Sequence, residues 1–135
     1  MPQQFDPSLV RQSYRCELVE ELRSTGSKVV GDVTLLIPKS LGFCWGVDRA
    51  LAMVQEARVE YGARPMWLIS SIIHNPRVNA DLREQGIGFL RGEYSPEGAW
   101  ENLSENDVVI VPAFSATVED MDHLRDRGVA IVDTT

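Results

Sequence analysis

From about residue 33 onward the apolar positions fall into runs whose spacing alternates between two periods. Val33-Thr34-Leu35-Leu36-Ile37 is short and aliphatic and predicts a strand over about 33–38. Val47, Ala50, Leu51, Val54 and Ala57 then recur at near-helical spacing and predict a helix over about 47–61. Met66-Trp67-Leu68-Ile69 reads as the next strand and Ser70 to Asn75 as a loop. Asn75-Pro76 forms a cap and first-turn pair, opening a helix that ends near Gly86. Ile87 to Leu90 is a short strand. The polar segment 91–102, with Gly92, Pro96 and Gly98, reads as loop with one helical turn around 99–103. Val108-Val109-Ile110-Val111 is continuously apolar, as a strand buried on both faces must be. A helix over about 117–127 and a strand at 129–132 complete the pattern. Strands alternating with helices predict an α/β fold, a mainly parallel sheet flanked by helices.

Ahead of this unit, Leu9, Val10, Tyr14, Leu18, Val19 and Leu22 form a stripe on a polar helix over 7–24. Asp6-Pro7 is its start and Gly26 its stop. The expected organisation is an N-terminal helical extension, residues 1–30, followed by an α/β domain, residues 31–135.

Composition narrows the partners. A chain of 135 residues with 44% hydrophobic content suffices for one domain with a real core. The net charge of -7 argues against a nucleic-acid or anionic-membrane surface, while leaving room for a local basic pocket. With no long apolar run and no signal-peptide pattern, a soluble cytoplasmic protein is the default expectation. The two cysteines, Cys16 and Cys44, lie in unlike contexts, so no disulfide framework is expected. Without CxxC or HExxH, the chain has too few ligand candidates for a complete metal site of its own.

In a parallel sheet, ligands bind where loops leave the carboxyl ends of the strands. Four segments should converge there: the turn around Cys44, Ile73-His74-Asn75, Pro112-Ala113-Phe114-Ser115, and Asp133-Thr134-Thr135. Cys44 stands in a turn flanked by Gly42 and Gly46, before a helix. A thiol there faces the first free N–H groups and the positive end of the dipole, a setting that favours the thiolate. Thiolate is the form that binds metal or attacks an electrophile; the alternative use is a buried structural cysteine. His74 precedes a helix start, where an imidazole and backbone N–H groups can hold a phosphate or carboxylate. The alternative is a partly buried loop histidine bonded to backbone. Cys16 reads as an incidental thiol within the polar helix. His123 and the acidic run 119–122 read as a solvated helix face, and Trp67 and Trp100 as packing residues; for Trp45, beside Cys44, packing is the commoner use and shielding a cofactor from water the alternative. Gly42-x-x-x-Gly46 matches neither a P-loop nor GxGxxG, which disfavours a nucleotide-binding module.

Taken together, Gly42-Phe43-Cys44-Trp45-Gly46-Val47-Asp48-Arg49-Ala50, Ile73-His74-Asn75-Pro76-Arg77-Val78, Val111-Pro112-Ala113-Phe114 and Ile131-Val132-Asp133-Thr134-Thr135 resemble a known family in order and spacing. That family is 4-hydroxy-3-methylbut-2-enyl diphosphate reductase (LytB/IspH), and the resemblance covers the N-terminal part of it, about residues 33–135 here. Trp after the cysteine and Pro-Ala-Phe in the third loop look closest to the branch of plants, cyanobacteria and some other bacteria.

The resemblance implies a reductive dehydroxylation yielding isopentenyl and dimethylallyl diphosphates, the last step of the non-mevalonate isoprenoid pathway. It implies three α/β domains around a 4Fe-4S cluster held by three cysteines, with one open iron site for the substrate hydroxyl. Cys44 matches the first metal ligand and His74 a histidine that binds the substrate diphosphate. Electrons are expected from a ferredoxin or flavodoxin-type donor.

Two departures follow. Where many members carry a second histidine, this chain has Phe114-Ser115, so no histidine role carries over. In the family a Cys-Pro follows the Asp-Thr-Thr pattern, and here Thr135 is last. The two remaining cysteines are therefore expected from C-terminal domains or a second chain, and this piece alone is expected to be inactive and to expose apolar surface meant for interdomain contact. The alternative is a stand-alone non-catalytic α/β domain binding a phosphorylated metabolite or a partner chain.

Overall fold

The structure, a computed structural model, describes residues 14–113 and 116–135. Its elements run α1 (Glu17–Thr25), β1 (Ser27–Val30), β2 (Val33–Leu36), α2 (Trp45–Tyr61), β3 (Met66–Leu68), α3 (Pro76–Glu84), β4 (Ile87–Phe89), β5 (Val108–Val111), α4 (Val118–Asp126) and β6 (Ala130–Asp133). Four strands form one parallel sheet in the order β4-β3-β5-β6. The predicted α/β class, with a mainly parallel sheet, is what the chain adopts.

Period-two alternation along β5 divides the core between two faces. Val108 and Ile110 pack with Met66, Leu68 and the apolar sides of α2 and α3, where Val54 and Val78 are fully buried. Val109 and Val111 face the other way, against Leu124 of α4, Leu103 and Val129. Each face is covered by helix, which is why the Val108–Val111 run tolerates no polar position. β4 sits at an edge, and Gly88 is there for a packing reason. It stands beside Trp67 in register, and a Cβ at position 88 would overlap the indole ring atoms Cε3 and Cζ3. The indole N–H instead reaches Asp107 Oδ1 at 2.8 Å, just before β5.

Four readings need correction. The strand expected at 33–38 is β2, but it does not join the parallel sheet. It pairs antiparallel with β1 in a separate two-stranded ribbon, Val30 opposite Val33 across Gly31-Asp32. The Gly-Asp pair, with Gly31 at φ +58°, is a two-residue hairpin turn, and the ribbon spans the expected division at residues 30 and 31. The N-terminal helix is shorter than expected in the described residues: Cys16 is the extended N-cap of α1, not part of a helix. The Asp6-Pro7 start lies outside the described residues, while Gly26 does end α1 in the left-handed conformation. Asp120 is not solvated. It is buried, accepts from Arg91 at Nη1 (2.9 Å) and Nη2, and forms a capping box with Thr117 at the start of α4. His123 is half-buried, its ring stacked on Trp100 with 5.2 Å between centroids.

Candidate functional site

Cys44 is the N-cap residue of α2, in extended conformation, and its thiol is exposed. A buried structural cysteine is therefore ruled out. Its side chain makes no capping hydrogen bond, so the first-turn N–H groups of α2 gain no partner from it. Gly46 lies beneath the sulfur, where an added Cβ would sit 3.9 Å from Sγ. Trp45 is 64% exposed, so it is not the packing residue expected.

The start of α3 is arranged differently. His74 precedes the N-cap and is exposed, but the helix amides behind it are already used. Asn75 Oδ1 accepts from Arg77 N at 3.0 Å and Val78 N at 3.2 Å, and Pro76 has no N–H to offer. The expected sharing of an anion between imidazole and helix amides is corrected on this ground. The first-turn amides are engaged by Asn75, while His74 stands exposed ahead of them.

Two of the four expected edge segments are linked directly. Arg49, in the second turn of α2, donates from Nη1 to Thr135 O at 2.9 Å and Thr134 O at 3.4 Å. Thr134 is buried, and both its N–H (3.0 Å) and its hydroxyl (3.1 Å) donate to Val111 O at the end of β5. Thr135 N donates to Asp133 Oδ1 at 2.9 Å. The helix that carries Cys44 is thus tied to the ends of both β5 and β6. Phe43 and Val47 on either side of Cys44, and Ile72 and Ile73 before His74, pack half-buried against one core cluster. No direct bond joins Cys44 to His74 among the described residues. Pro112 is buried and Ala113 exposed, while Phe114 and Ser115 lie outside the described residues.

Sequence assigns Arg49 no role, since nothing local connects it to a carbonyl 85 or 86 positions away. Among the described residues no group of three or more His, Cys, Asp and Glu is placed to hold a metal ion. No helix there is long and apolar enough to cross a membrane.

A parallel sheet flanked by helices, with an exposed thiol on the N-terminus of a helix tied to the carboxyl ends of β5 and β6, defines an α/β domain. The chain belongs to the LytB family, whose model, described as LytB protein, matches residues 35–135. It is 38% identical over 95% of its length to a 4-hydroxy-3-methylbut-2-enyl diphosphate reductase of Acaryochloris marina, covering 31% of that protein. Proteins of the same name from Synechocystis sp. (41% identical, 94% of this chain, 34% of that one) and Parasynechococcus marenigrum (42%, 93% and 32%) are also similar. A solved structure of (E)-4-hydroxy-3-methyl-but-2-enyl diphosphate reductase, described as the terminal enzyme of the non-mevalonate pathway, superposes with a TM-score of 0.55. It is 30% identical, over 70% of this chain and 30% of that one. The chain spans about a third of the length of the curated relatives it matches.

Proposed function

We propose that the chain forms the first α/β domain of an iron–sulfur reductase converting 4-hydroxy-3-methylbut-2-enyl diphosphate to isopentenyl and dimethylallyl diphosphates in the cytoplasm. The observation that carries this reading is the exposed Cys44 thiol on the uncapped N-terminus of α2 in a LytB-family chain. The thiol suits a cluster ligand: it is in no disulfide, it is exposed, and Gly46 leaves space beside the sulfur. Cys44 is one cysteine ligand of a 4Fe-4S cluster with an open iron site. When bound, that cluster supplies electrons and a Lewis-acidic iron.

His74 binds the substrate diphosphate through its imidazole. Asn75 occupies the α3 amides, so the ring and not the helix end makes this contact. Arg49 holds the segment after β6 against the helix that carries Cys44. The further cysteines come from the rest of a longer polypeptide or a second chain, and electrons from a ferredoxin or flavodoxin-type protein.

Anaerobic reconstitution of the 135-residue chain with iron and sulfide tests the single-ligand role. The expected result is far less than one cluster per chain and no lasting visible absorbance. A stoichiometric cluster in a pure monomer overturns it. In a complete reductase carrying this domain, His74→Ala should raise KM about tenfold or more, the loss of one charge-assisted contact. Unchanged KM and kcat reject the diphosphate role.

A further inference from the structure

We infer that Arg77 is a second residue of the diphosphate site, its guanidinium gripping the same group that His74 binds. This rests on the reading of His74 given above and extends it to a side chain with no role so far. The need for it follows from charge. A diphosphate ester carries more than one negative charge near neutral pH, whereas one imidazole offers at most one positive charge. The first turn of α3 does not make up the difference, because Asn75 Oδ1 accepts from Arg77 N and Val78 N, and Pro76 has no N–H. A side-chain cation is what remains to complete the site.

Two arginines near the carboxyl edge of the sheet are already committed. Arg49 donates to the carbonyls of Thr134 and Thr135, and Arg91 donates to buried Asp120. Arg77 is exposed, and its guanidinium enters no hydrogen bond or ion pair among the described residues. The acid one turn along the same helix face, Asp81, is engaged elsewhere, since its charge and hydrogen bond act on the Tyr14 hydroxyl. Arg77 also sits at the positive end of the α3 dipole, where a cation is disfavoured, and α3 has no acid in its first turn. A bound anion reverses that cost and meets no carboxylate there.

The position around the helix fits as well. Arg77 shares a face of α3 with Asp81, and Tyr14, bonded to Asp81, meets Phe43 edge-on at 5.2 Å between ring centroids. Phe43 adjoins Cys44. The Arg77 face of α3 is thus the one turned toward the thiol-bearing turn, and Arg77 lies one helical turn nearer the start of α3, and His74, than Asp81 does. A guanidinium there can meet two diphosphate oxygens with paired N–H bonds, which an ammonium group cannot copy.

The test uses a complete reductase carrying this domain and reads two quantities, the KM for 4-hydroxy-3-methylbut-2-enyl diphosphate and the calorimetric Kd of inorganic pyrophosphate. Arg77→Gln should raise both about tenfold while kcat changes less than about twofold, and Arg77→Lys should recover part of the loss. The parent alcohol, 4-hydroxy-3-methylbut-2-enol, lacks the diphosphate and should bind Arg77→Gln as it binds the unaltered protein. KM and pyrophosphate Kd both within about twofold of the unaltered protein overturn the inference. So does an equal loss for the alcohol, which marks a general disturbance of the site. The two readings fail separately. Pyrophosphate binding that depends on Arg77, in a protein that does not turn over the substrate, removes the proposed function and keeps this contact. Turnover by Arg77→Gln at an unaltered KM does the reverse.

Discussion

Asp120 and Asp107 are carboxylates kept charged inside the fold by the groups around them. For Asp120 the largest influence is the Arg91 hydrogen bond, which outweighs the cost of burial and holds its pKa below the ordinary carboxylate value. For Asp107 burial pushes upward most strongly, but hydrogen bonds from Ser104 Oγ, the Trp67 indole and Ser104 N, with the Arg64 charge, together leave it lowered. Both groups are thus held more tightly when ionised in the folded state than in the unfolded chain. Their contribution is full above the unfolded carboxylate range, about pH 4, and is lost as pH falls through the lowered folded values. Thermal unfolding followed from neutral to acid pH should show that loss, and Asp107→Asn with Asp120→Asn should flatten it. Arg91→Ala leaves the buried Asp120 without its cation. Because Arg91 is itself 45% exposed and water reaches the site, the expected cost is about 1–2 kcal/mol in urea unfolding.

At the scale of elements, β3 and β4 depend on a missing side chain. Gly88→Val forces the Trp67 ring off its place and should cost about 1–3 kcal/mol in denaturant unfolding, the usual penalty of overpacking. The segment before α1 is fastened to α3 through Tyr14, whose ring meets Phe43 edge-on at 5.2 Å between centroids. Burial, then the charge and hydrogen bond of Asp81, push the Tyr14 hydroxyl up to about 12. Its contribution is complete below the ordinary tyrosine value near 10 and disappears as pH rises from there to about 12. Ultraviolet tyrosinate titration should show this late step in the parent chain and lose it in Tyr14→Phe.

The same elements show what sequence could convey. Val108–Val111, the Asn75-Pro76 start of α3 and the α2 periodicity were legible because each signal is local: an apolar run, a cap, a period. The β1–β2 ribbon carries a hairpin signal, Gly31-Asp32 between Val30 and Val33, but the aliphatic run expected as a strand at about 33–38 suits a parallel sheet equally well, and only the pairing decides between them. Asp120 and His123 carry no local sign of burial because their partners, Arg91 and Trp100, lie 29 and 23 positions away, where charge pattern carries no information. The place of Cys44 at a helix end is legible from the helical period that follows it, and the Asn75-Pro76 cap itself implies that the first-turn amides of α3 are engaged.

The whole molecule joins a well-packed four-stranded unit to a ribbon whose apolar residues meet water, and the thiol-bearing end of α2 lies along the chain between them. Its last three residues behave as part of the unit, not as a frayed tail, since Thr134 and Arg49 hold them to β5 and α2. If that hold depends on the guanidinium, Arg49→Ala should speed amide exchange at Thr135 while leaving Thr134, bonded to Val111, protected; equal change at both would place the anchor elsewhere. A consequence concerns how such domains are joined. A polypeptide continued from Thr135 starts from a fixed origin whose bearing is indexed to the helix beneath Cys44. The direction in which such a continuation leaves is then set jointly by the Arg49 guanidinium and the Thr134 bonds to Val111, and a flexible spacer inserted after Thr135 would unfasten that direction while leaving the sheet intact.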